Sequence, residues 1–175
     1  MREGFSFCAT FFVLSRQFHF FIVLNHYSMF RHLPSAFGKY KIHTCHYHEG
    51  TGFTLVPEYG DCLLNLRFSG QQILYAYTTP EELDFNRWFK NLFLFPFPNR
   101  LKKGQYQWEG KTYRFPINDG PTGNALHGFG FNQKMEIVNI KLLEKEAKVD
   151  LKFIYNGDIG AYPFPFSFQL GFSLS

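Results

Sequence analysis

From Ala147 to Tyr155 the chain alternates. Val149, Leu151, Phe153 and Tyr155 are apolar, whereas Asp150 and Lys152 between them are charged. Phe168, Leu170, Phe172 and Leu174 repeat the pattern against Ser167, Gln169, Gly171, Ser173 and Ser175. A period of two belongs to an extended backbone, whose successive side chains point to opposite faces, and not to the stripe of a helix. Each stretch therefore predicts a strand with one dry face and one mostly wet face. Composition agrees: 24 Phe and 10 Tyr bring aromatic residues to 21%. Aromatic enrichment with frequent Gly and Pro favours strands and turns.

The same reading extends back to about residue 40. Residues 53–60 and 61–68 predict two strands joined at Tyr59-Gly60, and Ser69-Gly70 turns the chain into a third over 72–77. Thr79-Pro80-Glu81-Glu82 supplies an N-cap, a first-turn proline and acidic residues, which predicts a short helix. Glu109-Gly110 joins residues 105–108 to 111–115 as a hairpin, and Glu144-Lys145-Glu146 separates strands over 134–143 and 147–155. The 175 residues suffice for one domain. The last alternation runs to Ser175 with no cap after it. That is the pattern of an edge or central strand, and equally of a sheet cut through the middle.

Several classes are disfavoured. A net charge of +4 on scattered Lys and Arg gives no electrostatic footprint for nucleic acid. Residues 1–28 are apolar, but Arg16, Gln17 and His19 interrupt the run, so no membrane span is expected. Glu3 and the lack of a small-residue cleavage site argue against a signal peptide. We read 1–28 as an N-terminal extension, unstructured or preceding a true start at Met29, and 29–175 as the domain. Three cysteines (Cys8, Cys45, Cys62) are odd in number and too sparse for a disulfide framework, which points to a reducing, cytoplasmic compartment. His43, Cys45, His46 and His48 resemble a metal cluster in residue type only. No second ligand group stands at a zinc-finger spacing, so no metal is expected. Cys62 opens a buried strand and is not expected to be a nucleophile.

Polar groups suited to a sugar cluster between residues 95 and 128. Arg100 follows Pro96, Pro98 and Asn99, a stiff corner from which a guanidinium can fork onto hydroxyls. The bland alternative is that Arg100 satisfies loop carbonyls and Asn99 makes a local turn. His127 stands beside Gly128, where ligand can approach the backbone and a neutral imidazole can donate or accept. A lone loop histidine is also a common structural residue. Trp108, Phe129 and Phe131 offer faces for a pyranose, or for the core.

Taken together, Asn99-Arg100, Gly104-x-Tyr106, Gly110-Lys111-x-Tyr113, Asn118 and Asn124-x-Leu-His-Gly128 resemble the aldose 1-epimerase (galactose mutarotase) family in order and spacing. Residues 53–60 and Asp158-Ile-Gly-Ala-Tyr-Pro163 resemble it as well, so the likeness covers about 40–175. It implies an all-β fold, part of a galactose-mutarotase-like antiparallel β-supersandwich. The implied reaction interconverts α and β anomers of a free aldose such as galactose or glucose, by a base at the anomeric hydroxyl and an acid at the ring oxygen. No cofactor is implied. By the same resemblance, Asn99 and Arg100 would bind sugar hydroxyls, and His127 would be a catalytic residue near the ring oxygen, as orienter or auxiliary acid. The sequence departs from the family where its second histidine belongs: residues 153–158 hold Tyr155 and no histidine. The family's C-terminal glutamate base would lie beyond Ser175. Two alternatives therefore stand beside the isomerase: a non-catalytic carbohydrate-binding module, and an inactive truncated product. An exposed sheet edge would also permit self-association.

Overall fold

The computed structural model describes residues 29–47, 50–86 and 88–175. The expectations for residues 1–28, Cys8 and His48 lie outside them. Strands β1 (Phe30–Phe37), β2 (Tyr40–Tyr47), β3 (Thr51–Val56), β4 (Cys62–Phe68) and β5 (Gln71–Gln72) form an antiparallel meander in chain order. Helix α1 (Pro80–Phe85) follows. A loop-rich segment then carries four short strands: β6 (Arg100–Leu101), β7 (Gln105–Trp108), β8 (Lys111–Arg114) and β9 (Ala125–Leu126). β6 pairs with β9, and β7 with β8. The last sheet is antiparallel and joins β10 (Glu136–Leu142), β11 (Ala147–Tyr155) and β12 (Phe166–Leu174). The all-β expectation holds.

The core lies between the two larger sheets. Phe30, Cys45, Phe53 and Leu55 meet Val149, Leu151, Phe153 and Tyr155, and Phe53 reaches Phe172 at 5.7 Å between ring centroids. Burial along β11 alternates strictly from Ala147 to Tyr155, as a period of two requires, and leaves the apolar Ile154 exposed. β12 alternates too, its apolar residues half-buried and the intervening ones exposed. A second cluster, on the other side of the meander, packs Tyr40, Val56, Cys62, Leu64 and Tyr77 against Leu83 of α1.

Local chemistry explains the remaining elements. Thr79 caps α1 through Glu82 N–H, and Asn86 ends it in the left-handed region at φ 41°. Glu109 (φ 48°) and Gly110 (φ 74°) both adopt the positive φ that a two-residue hairpin turn needs. One expectation is corrected: residues 72–77 are not a strand beyond Gln72. Tyr77 instead inserts beneath α1, and its hydroxyl bonds Asn86 Oδ1 (2.7 Å) and the Lys90 carbonyl (3.0 Å). Burying one tyrosine with a satisfied hydroxyl outweighs extending an edge strand into solvent. Similarly, the strand predicted over 53–60 stops at Val56, where Pro57 and a turn from Val56 O to Tyr59 N–H (3.0 Å) intervene.

Candidate functional site

Two loops, residues 95–100 and 125–130, make one ledge on the final sheet. The Phe95 ring packs on Phe168 (4.5 Å) and Phe153 (5.2 Å), which anchors the first loop to β11 and β12. Its carbonyl accepts from Phe129 N–H (3.2 Å) and Gly130 N–H (2.8 Å), which ties the second loop to the first. A Cβ on Gly128 would stand 2.7 Å from the Phe95 oxygen, and Gly128 has φ +65°, so only glycine fits this approach. Beneath the ledge Phe115, Ala125 and Ala161 are buried with Phe97, Leu101 and Tyr106 around them.

The three predicted site residues are brought together on that ledge. Asn99 (φ 65°) and His127 (φ 64°) both occupy the left-handed region and grip each other twice. His127 N–H donates to the Asn99 carbonyl (2.9 Å), and Asn99 N–H donates to His127 Nδ1 (2.9 Å). A backbone amide can only donate, so Nδ1 must accept, and a neutral ring then carries its proton on Nε2. Burial first, and the nearby Arg100 charge second, hold the imidazole below the usual histidine pKa. The ring is therefore a fixed neutral donor at neutral pH.

Arg100 lies one residue on, its Nε donating to Asp119 Oδ2 at 2.6 Å. Its side chain stays half-exposed while Asp119 is largely covered. The Thr122 hydroxyl also donates to Asp119 Oδ2 (2.6 Å), and these two donors pull the carboxyl below the ordinary aspartate range. Asn118 braces the ledge from the side, donating to the Leu126 carbonyl (2.9 Å) and accepting its N–H (2.6 Å). Asn124 Oδ1 receives Lys103 N–H (3.0 Å), so both motif asparagines hold backbone.

Other sequence candidates divide clearly. Tyr155 is buried, donating to the Tyr162 carbonyl (2.6 Å) and accepting Ile159 N–H (2.8 Å). Both functions of its hydroxyl are spent on the 158–162 loop, so it is no stand-in for a proton-transferring histidine. Phe129 packs on Tyr155 at 4.8 Å as part of the core. Trp108 is exposed on the β7–β8 hairpin near Phe164. Phe131 meets Phe89, and Phe89 in turn stands edge-on to His127 at 4.6 Å. Phe89 and Asp119 are the site neighbours that sequence reading missed. Asp119 directly follows the motif residue Asn118, and that adjacency was a usable signal.

Among the described residues no group of three or more His, Cys, Asp or Glu is placed to hold a metal ion. His43 pairs instead with His32, at 3.0 Å between ring nitrogens. Burial pushes the Cys45 thiol up to about 11 and the Cys62 thiol up to about 12, so neither is a thiolate nucleophile near neutral pH. A cleft of about 530 Å³ lined by His43, Glu58, Lys134 and Lys152 lies elsewhere, between the two larger sheets.

The ledge rests on a β-sandwich of antiparallel sheets, and known proteins share that fold. A galactose mutarotase-like protein of Clostridium acetobutylicum superposes with a TM-score of 0.70 at 26% identity, over 83% of this chain and 45% of that one. A galactose 1-epimerase of Lactobacillus acidophilus shares the fold, with a TM-score of 0.67 at 18% identity over 83% of this chain and 44% of that one. An uncharacterised Escherichia coli K12 protein, YihR, is 28% identical over 116 residues, which are 66% of this chain and 35% of the other. The aldose 1-epimerase family model matches residues 48–175, and the chain belongs to that family. It spans less than half the length of these relatives.

Proposed function

We propose that the ledge holds a monosaccharide in an aldose 1-epimerase-type isomerase, which interconverts the α and β anomers of a free aldose such as galactose or glucose. The observation that carries this reading is the pair of hydrogen bonds between Asn99 and His127, with Arg100 fixed beside them. Arg100 and the Asn99 side chain would bind sugar hydroxyls. The Nε2–H of His127 would donate to an oxygen at or near the ring oxygen, steadying charge that develops as the ring opens. Charging this imidazole would set an N–H on Nδ1 against the Asn99 amide. His127 therefore serves as orienter and donor rather than as the proton shuttle. The free, buried Cys45 and Cys62 fit a reducing cytoplasm.

A second reading, sugar binding without turnover, is favoured by two observations. The Tyr155 hydroxyl and His127 Nδ1 are both committed to backbone. Polarimetry of fresh α-galactose and α-glucose, beside saturation-transfer NMR of the same sugars, separates the two. Isomerase function predicts faster relaxation that His127→Ala abolishes. Binding alone predicts NMR saturation with no acceleration. Neither signal from a folded chain would sink both readings.

A further inference from the structure

The strand-poor segment after α1 carries a feature that the fold alone does not require. Phe89 has φ 51°, a region that a bulky aromatic residue rarely occupies. It is flanked by Asn86 (φ 41°) and Asn91 (φ 55°), residues that tolerate that region. The chain is pinned on both sides of Phe89. Asn86 is buried and held by Tyr77. The Lys90 carbonyl bonds the Tyr77 hydroxyl and its ammonium pairs with Glu82. The Asn91 carbonyl accepts Leu63 N–H (3.1 Å), and its amide donates to the Tyr75 carbonyl (3.1 Å). Such over-determined strain persists where surrounding contacts impose it, and it collects at functional positions. Here it delivers one ring to one place, edge-on to His127 at 4.6 Å and edge-on to Phe131 at 5.1 Å.

We infer that Phe89 is a positioning residue for His127, its ring holding the imidazole in the orientation that keeps Nδ1 on the Asn99 amide and leaves Nε2–H for ligand. The need for it follows from the ring's symmetry of shape. A half-turn about the Cβ–Cγ bond swaps Nδ1 for a carbon, which fills the same space but accepts no hydrogen bond. One partly exposed bond to Asn99 discriminates weakly between the two orientations. An edge-to-face neighbour restricts the turning itself and discriminates further through the different charge at the two ring edges. The inference rests on the reading of His127 as a ligand donor, yet it is testable apart from it.

The test compares wild type with Phe89→Gly, which suits the positive φ, and Phe89→Leu, which keeps apolar bulk without a ring edge. Long-range ¹⁵N–¹H spectra at pH 8 report the His127 imidazole, with His127→Gln identifying its signals. The wild type is expected to show an unprotonated Nδ1 and a protonated Nε2. In the variants the ratio of flipped to native orientation should rise roughly five- to tenfold, with galactose affinity falling only in proportion to the native fraction lost, while melting stays cooperative. Phe89→Tyr should restore both. Folded variants with unchanged imidazole signals would overturn the inference. So would loss of cooperative melting in both, which would make Phe89 a stability residue. A wild type that binds no sugar would remove the proposed function, while the imidazole spectra would still decide the role of Phe89.

Discussion

The sheet of β10 to β12 and the ledge of residues 95–128 obey different rules, although one rests on the other. In the sheet, position follows from the period of two: every second residue of β11 is buried, and its neighbours face outward, the apolar Ile154 among them. On the ledge, Asn99, His127 and Gly128 all take positive φ, and one backbone–backbone and one backbone–side-chain bond join Asn99 to His127 across 28 residues. The sheet is held by area removed from water, the ledge by geometry. Substitutions in the two should separate stability from binding.

The largest effect is expected in the sheet. Leu151 is fully buried between the sheets. Leu151→Ala should cost about 2–5 kcal/mol in urea unfolding and leave galactose affinity of the folded fraction unchanged. A cost below about 1 kcal/mol would show that the sheet is not the stability centre.

Asp61 tests the comparison from outside both regions, because there a charge is buried. It is inaccessible, sits at φ 55° in the turn before β4, and neither carboxyl oxygen has a hydrogen-bond partner among the described residues. Burial raises its pKa from 3.8 to about 7. The folded state thus holds the proton more tightly than the unfolded chain, and stability should fall as pH rises between those values. The ceiling is roughly 4 kcal/mol across that window. Urea midpoints at pH 5 and pH 8 should differ in the wild type and converge in Asp61→Asn. A wild type more stable at pH 8 than at pH 5 would refute this.

The difference between the regions also explains what could be read in advance. The strands of residues 147–155 and 166–174, the Thr79 cap and the Glu109-Gly110 hairpin are local, so their signals lie within a few residues. Residues 72–77 misled because Tyr77 answers to Asn86 and Lys90, contacts that no short window contains. The ledge was legible only as a linked motif that resembles a family. Asn99, Arg100 and His127 do lie together, but the tautomer of His127 depends on the backbone of Asn99. The opposition of Phe89 depends on a strained loop, and sequence periodicity carries neither.

Gly128 ties the two regions together. An added Cβ would meet the Phe95 oxygen at 2.7 Å with φ at +65°. Gly128→Ala should therefore cost roughly 1–3 kcal/mol and also displace His127, lowering both the urea midpoint and galactose affinity. An affinity that survives the stability loss would show that the ledge is less dependent on its glycine than its geometry suggests.

The smallest and most selective effect is expected at Asp119. This carboxylate neither lies in the core nor, in the proposed reading, touches the sugar; it fixes the guanidinium of Arg100 before a ligand arrives. Without it, a long and half-exposed side chain must be ordered at the moment of binding. Asp119→Ala should weaken galactose binding by about 3–10-fold, the usual cost of immobilising one such side chain. Urea unfolding should change little, since the half-exposed Arg100 keeps its side of the pair in water. Asp119→Asn, which can still accept the Nε hydrogen bond, should fall between. Equal affinity in all three proteins would mean that Arg100 is not held for the ligand, and that the ledge is organised by Asn99 and His127 alone.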